Sequence, residues 1–216
     1  MIAIYQGEGV QWQGEIQGQR ITAEQIRQGE LFKFSTFIMP GGRDRPYAAA
    51  LDGRGNAQIR SFVEQGGTYL GICAGAYYGA KRVEFERGSP LEVSEDRELA
   101  FFDGIATGPA YGPGFAYNSE QGARMALLHT EQGIMRVYYN GGCTFQGDLQ
   151  NVKIHARYQD IKGHPPAIIE CAVGKGQAFL SGVHLEKGIY REYEGRGVAD
   201  PVTTKVNFSL TRLLKS

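Results

Sequence analysis

Residues 69–77 read Tyr69-Leu70-Gly71-Ile72-Cys73-Ala74-Gly75-Ala76-Tyr77, an apolar strand that meets a cysteine between two glycines and then a helix-forming run. This is the pattern of a nucleophile elbow, a tight strand-to-helix turn that lifts one side chain off the sheet edge. Gly71 and Gly75, lacking Cβ, let strand and helix close around the turn. Cys73 would stand at a helix start, where N–H groups favour a thiolate. An isolated cysteine is more often simply buried; the flanking glycines and a partner motif downstream turn the balance. That partner is Ser181-Gly182-Val183-His184-Leu185-Glu186, a strand end followed by His-x-Glu. A thiol that attacks a carbonyl needs a base, and the base needs a carboxylate to orient it. Residues two apart on extended backbone point the same way, so Glu186 can reach His184. Cys73, His184 and Glu186 are the expected catalytic set.

Acyl transfer also needs donors for the developing oxyanion. Phe37-Ile38-Met39-Pro40-Gly41-Gly42 ends a strand on a turn that frees backbone N–H groups. The expected donors are Ala74 together with Gly41 or Gly42. Arg43, Asp44 and Arg45 follow on the same rim. They either select a polar or anionic substrate or pair with one another.

These pieces, in this order, resemble the class I glutamine amidotransferase-like superfamily. Pro40-Gly41-Gly42-Arg43-Asp44-Arg45-Pro46-Tyr47, the run 55–63, Gly71 to Tyr78, and Val83-Glu84-Phe85-Glu86 narrow the likeness to the biotin–protein ligase N-terminal domain family. Gly108-Pro109-Ala110-Tyr111, Tyr139-Asn140-Gly141-Gly142 and the closing Gly182 to Glu186 extend it. The resemblance implies a single α/β domain over 1–216, with a mostly parallel central sheet flanked by helices in the flavodoxin-like manner. It also implies a link to biotin–protein ligase as partner, since such a domain precedes the ligase in fungi and also occurs alone in bacteria. Two positions depart from the superfamily. Where glutamine amidotransferases continue the elbow with His-Gln, this chain has Ala76 and Tyr77, which puts glutamine as substrate in doubt. Leu185 stands where proline is common.

The elements that must position these residues are partly legible. Helical and strand patterns alternate through 56–65 and 68–72, as a parallel α/β sheet requires. Strands are expected near 124–129, 134–139, 152–157, 167–173 and 177–180, with Gly174-Lys175-Gly176 as a hairpin turn. A closing helix is expected from Asp200, with Pro201 in its first turn, to Leu214. Only residues 10–19 separate the first strand from the next candidate, too few for an ordinary crossover helix. The first helix is therefore expected to be shortened, rebuilt or missing.

The insert 101–117 carries Phe102, Tyr111, Phe115 and Tyr117 among glycines. It reads equally as a lid with ligand-facing hydroxyls or as an anchored surface loop. Tyr77, Tyr111 and Asn140, with Arg43 and Asp44, are the expected substrate contacts. Glu8 stands after the first strand as a weaker candidate. Glu84 and Glu86, on a short strand after the elbow helix, either approach the cleft or, more readily, form a solvated strand face. His155 reads as a solvent-facing or satisfied strand residue, with His129 at a strand end and His164 in a turn.

Lys+Arg and Asp+Glu balance at 23 each, so no field draws the chain to nucleic acid or an anionic membrane. No apolar run approaches a membrane span. Three cysteines without Cys-x-x-Cys spacing argue against a disulfide framework or a zinc site; no metal and no cofactor are expected. With no signal-peptide pattern at Met1, a reducing, cytoplasmic setting is expected, although a chain trimmed of its leader would look the same. Three functions stay open: a cysteine hydrolase or amidotransferase-like enzyme acting on a C–N amide bond, a catalytically quiet module tied to biotin–protein ligase, or a redox-sensing cysteine.

Overall fold

A computed structural model describes residues 1–12, 14, 16–193 and 202–206. Five strands form the parallel half of a large sheet: β1 (Ile2–Tyr5), β3 (Gln19–Ile21), β4 (Thr36–Met39), β6 (Thr68–Ile72) and β15 (Gly176–Ser181), in the order β15-β6-β4-β1-β3. They are short and apolar, as strands buried on both faces must be. Helices α1 (Ala23–Arg27), α2 (Asp44–Leu51) and α3 (Arg54–Glu64) connect them, and α4 (Ala74–Gly79) leads out of β6. Thr22 and Gln25 cap α1 reciprocally in a capping box. Ile59, Phe62 and Val63 give α3 a buried stripe at helical spacing.

Beyond β15 the same sheet turns antiparallel through β14 (Pro166–Val173), β13 (Val152–Tyr158), β10 (Arg124–Thr130) and β11 (Gly133–Tyr139) to β16 (Ile189–Tyr193) and β17 (Val202–Val206). The α/β reading therefore holds with one refinement: the sheet as a whole is mixed, and only the half that carries the elbow is parallel. Tight hairpins such as Gly174-Lys175 force the change of direction, because two residues cannot support a parallel return. All five strands expected in the second half form within about a residue of their expected ends.

A second sheet, ordered β12-β9-β7-β8, contains β7 (Ala80–Phe85), β8 (Val93–Asp96), β9 (Phe102–Gly108) and β12 (Thr144–Gly147). It shares one core with the helices, in which Val83, Phe85 and Phe102 meet Tyr69, Tyr77 and Tyr78. On the other face of the parallel half, Ile4, Ile38, Leu70 and Phe179 form a separate cluster with Trp12 and Ile16 packed against it.

Two expectations at the chain ends are resolved differently. The first crossover is rebuilt without a helix among its described residues: β2 (Val10–Gln11) pairs antiparallel with β5 (Gly41–Gly42). Near the other end, Val202–Val206 is strand, paired with Ile189–Tyr193. The helix expected over 200–214 therefore does not form there, because the β-branched run Val202-Thr203-Thr204 pairs as an edge strand. The remaining residues of that expectation lie outside those described. Among the described residues, no helix is long and apolar enough to cross a membrane.

Candidate active site

Three neighbouring parallel strands end together. Register pairs Met39 with Gly71 and Ile72 with Ser181, so the residues after β4, β6 and β15 emerge side by side. Ligands in open α/β sheets bind at this edge. The elbow is stitched to both neighbours. Cys73 N–H donates to Ser181 O at 2.8 Å, and Gly75 N–H donates to Pro40 O at 3.0 Å. Cys73 is held at φ 50°, ψ −106°, a strained setting for a residue with a Cβ and one typical of functional turns.

The Cys73 thiol is buried to 7% exposure and donates to the Asn140 carbonyl at 3.6 Å. The His184 ring borders the same cavity beside it. His184 Nδ1 lies 2.7 Å from Glu186 Oε1, so Nε2 is the ring nitrogen that Glu186 does not engage. His184 N–H donates to Tyr138 O at 2.8 Å, and the Tyr138 ring packs edge-on at 5.5 Å. Burial alone would pull the His184 pKa down. The Glu186 carboxylate and Cys73 more than offset it and push it up to about 10.

The Gly41-Gly42 turn closes over this pair. A Cβ on Gly41 would meet His184 Cε1 at 2.9 Å and Cys73 Cβ at 3.5 Å. Gly42, at φ 131°, has the Gly9 carbonyl where a Cβ would sit, at 1.9 Å. Only glycine lets β5 pair with β2 there. Gly42 and Ala74 both line the cavity. Tyr47, from α2, fixes the turn by donating to Gly41 O at 2.8 Å.

A cavity of about 410 Å³ opens onto the sulfur. Cys73, His184, Glu186, Ala74, Gly42, Asp44, Tyr77 and Asn140 all border it. Two expected contacts do not. The Arg43 side chain is exposed outside the cavity, at the N-cap of α2, where its N–H donates to Gly9 O. Tyr111 stacks on Tyr139 and Tyr158 over the antiparallel half and donates to Asp160 at 2.7 Å, so it too lies outside. Asp44 borders the cavity but is engaged by Arg97, which donates to Oδ2 from Nε and Nη2 at 3.0 and 2.7 Å. Burial outweighs this attraction and leaves the Asp44 carboxyl above its ordinary range. The rim charges pair with other residues, Arg45 with Glu95 and Asp44 with Arg97. Tyr77 donates to Gly141 O at 3.1 Å, which ties the elbow helix to the loop beside it. Glu8 is exposed and outside the cavity. His155 is satisfied by Glu170 at 2.6 Å.

Sequence reasoning missed much of the wall. Gln11 and Trp12, from the rebuilt crossover, border the cavity. Gly14 packs on Glu186, with room for no side chain: a Cβ there would meet Glu186 Cβ at 2.7 Å. The single tryptophan beside an unusually short crossover was the available signal. Phe115 and Tyr117, both named in the insert, do face the cavity, and Asn118, Ser119 and Glu120 continue their wall. Gln11 Nε2 donates to Asn118 Oδ1 at 2.9 Å and joins the two sides of the mouth. Tyr138 donates to Glu120 at 2.6 Å and carries Lys187 Nζ over its ring at 4.0 Å. Burial, then Glu120, push the Tyr138 hydroxyl up to about 12.

The family described as "Biotin-protein ligase, N terminal" matches residues 19–212. The chain belongs to that family. A biotin–protein ligase of Schizosaccharomyces pombe is 42% identical over 159 residues, covering 69% of this chain and 25% of the ligase. An uncharacterized protein of Chlamydia muridarum is 42% identical over 153 residues, covering 69% of this chain and 59% of that protein. The chain thus spans just over half of one relative and a quarter of the other. Among solved structures, a glutamine amidotransferase superposes with a TM-score of 0.57 at 24% identity, covering 79% of each chain. PurLQS from Thermotoga maritima superposes with a TM-score of 0.59 at 16% identity, covering 86% of this chain and 87% of that one. At such identities the likeness concerns the fold, which is amidotransferase-like.

Proposed function

We propose that the protein is a cysteine-dependent amide hydrolase or amidotransferase-like enzyme, with Cys73 as nucleophile, His184 as acid–base and Glu186 as its orienting carboxylate. The single observation that carries this reading is that Cys73, His184 and Glu186 border one cavity, with His184 Nδ1 2.7 Å from Glu186 Oε1. In the first step the Cys73 sulfur attacks the amide carbonyl carbon. The proton that the sulfur gives up is already held on the His184 ring, whose pKa is raised to about 10. The C–N bond then breaks, the ring protonates the departing nitrogen, and a thioester remains. Water, deprotonated by His184, cleaves the thioester and returns the thiol. The sum is amide plus water giving acid plus amine. The N–H of Ala74, with that of Gly41 or Gly42, steadies the oxyanion in each step.

Glutamine is not the expected substrate. Ala76 and Tyr77 occupy the positions that hold it elsewhere, and the Tyr77 hydroxyl is engaged with Gly141. A site that loses a buried amide partner loses orders of magnitude in selectivity. The test is ammonia or amine release from glutamine, asparagine, biotinamide and small peptides, with Cys73→Ala as the blank. Release that depends on Cys73 from an amide other than glutamine is expected; robust release from free glutamine contradicts the substrate reading.

One observation supports a second reading. The Schizosaccharomyces pombe relative is a biotin–protein ligase four times the length of the matched part. An accessory module that docks such a ligase would show tight binding to it, with no Cys73-dependent turnover of any amide.

A further inference from the structure

The wall of the cavity formed by α4, β7 and the loop after β9 is apolar and continuous. Tyr77, Phe85, Phe115 and Tyr117 form a chain of edge-to-face rings, with centroids 5.6, 5.4 and 5.0 Å apart in that order. All four border the cavity, and Val83 lies beside them. Polar groups border the rest of the cavity, Asn118, Ser119 and Glu120 farther along the same loop and Asp44 and Lys187 on other elements. Glu120 and Lys187 are both held by Tyr138, and Asp44 is held by Arg97. A site that had only to accept a small polar amide would not need four rings on one side.

Nor is that wall left to chance. The loop that bears Phe115 and Tyr117 is fixed by a carboxylate from below. Glu86 Oε1 accepts N–H bonds from Gly114 at 3.2 Å and Phe115 at 3.0 Å. Glu86 is 5% exposed and sits at φ 48°, a costly backbone setting that such bonds help to sustain. Two N–H donors on one buried carboxylate are strong, charge-assisted bonds. The residue read from sequence as part of a solvated strand face is instead buried beneath the loop.

We propose that the four rings form a slot for an apolar substituent, flat or aromatic, carried by the amide that Cys73 attacks, and that Glu86 is the positioning residue of the slot. The proposal rests on the nucleophile reading given above and names the class of substrate: amides with a ring or compact hydrocarbon group within reach of the sulfur. A group of that kind gains its affinity by leaving water for a preformed aromatic wall.

The test uses iodoacetamides that differ only in the group on nitrogen: N-benzyl, N-carboxymethyl and unsubstituted. Rates of Cys73 alkylation are measured by peptide mapping in the full chain and divided by the rates for a small free thiol. Burial of a ring predicts a preference of about tenfold or more for N-benzyl over N-carboxymethyl, expressed as a lower half-saturating concentration rather than a faster limiting rate. Phe115→Ala should reduce the preference to within about threefold. Glu86→Ala should do the same, and Glu86→Gln, which keeps one acceptor oxygen, should restore part of it.

A native protein that alkylates Cys73 with all three reagents but shows no preference overturns the slot. A preference lost in Phe115→Ala but kept in Glu86→Ala overturns the role of Glu86. If Glu86→Ala does not fold, Phe115→Ala and Glu86→Gln still decide. Failure of every reagent to modify Cys73 contradicts the nucleophile reading and the slot with it, an outcome distinct from indiscriminate labelling.

Discussion

At the scale of single residues, His184 carries the most testable consequence. Its pKa is pushed up to about 10, above the ordinary 6.5, because Glu186 and Cys73 outweigh burial. Protonation therefore stabilises the fold: the contribution is complete below about pH 6.5 and is lost as pH rises through about 10. Nitrogen and carbon shifts of the ring should report an imidazolium at pH 8, with a midpoint that falls in Glu186→Gln and in Cys73→Ala. A ring that is neutral at pH 8 would contradict this electrostatic picture. Cys73 carries a second consequence through its backbone. With φ at 50° it holds a conformation that costs a side chain about 1–3 kcal/mol. Cys73→Gly should melt about 2–4 °C above Cys73→Ala, since glycine alone escapes that cost; equal melting would show that the turn stores no strain. Cys73, His184 and Glu186 could be picked out by the spacing of their motifs, and the fold brings all three to one cavity. Arg43 and Tyr111 could not be placed: whether a rim residue faces in or out depends on partners distant in sequence, as when Tyr111 packs on Tyr139 and Tyr158 and donates to Asp160.

Elements set these residues in register, and the elbow helix packs closely against β4. A Cβ on Gly75 would meet Met39 O at 2.1 Å, a backbone atom that cannot swing aside. Gly75→Ala should therefore cost about 1–3 kcal/mol, and more if β4 cannot shift. Chemical denaturation checks this, and a loss under 0.5 kcal/mol would mean that α4 slides freely on β4. The strands of both halves were legible because period-two patterns and glycine turns are local signals. Their pairing was not. The switch from parallel to antiparallel at β15 follows from the hairpin at Gly174-Lys175, whereas β2 gains its partner, β5, from a residue pairing 32 positions away, Val10 with Gly42. The strand Val202–Val206 was read as helix for the same reason: Pro201 at a helix start is a local signal, and its pairing with Ile189–Tyr193 is not.

Across the whole molecule, the site is held between two sheets. Arg97, just past β8 of the small sheet, grips Asp44 at the start of α2 while also bonding Glu95 at 3.0 Å. Both members are buried, at 7% and 8% exposure. Removing the cation strands a buried carboxylate, so Arg97→Ala should cost about 3–5 kcal/mol, measured by chemical denaturation. Arg97→Ala with Asp44→Asn should recover part of the loss; no recovery would mean that Arg97 acts through packing alone. The fold class was legible from the elbow and its partner motifs, whereas the cavity was not. Its walls come from the rebuilt crossover at Gln11 and Trp12, the loop at Phe115 and Tyr117, and the strand end at Tyr138, which are distant in sequence and joined only by the fold.

The central claim is that Cys73 is a nucleophile made reactive by His184, and the alkylation rate of Cys73 by iodoacetamide at pH 7 tests it most directly. Peptide mapping after short pulses should show Cys73 modified far ahead of Cys143, which is fully buried, and Cys171, whose thiol burial pushes up to about 12. Mere accessibility could yield that order, so the decisive comparison is with His184→Gln. The account predicts that the Cys73 rate falls by about tenfold or more in this variant once the ring is gone. An unchanged Cys73 rate in a folded His184→Gln protein would contradict it.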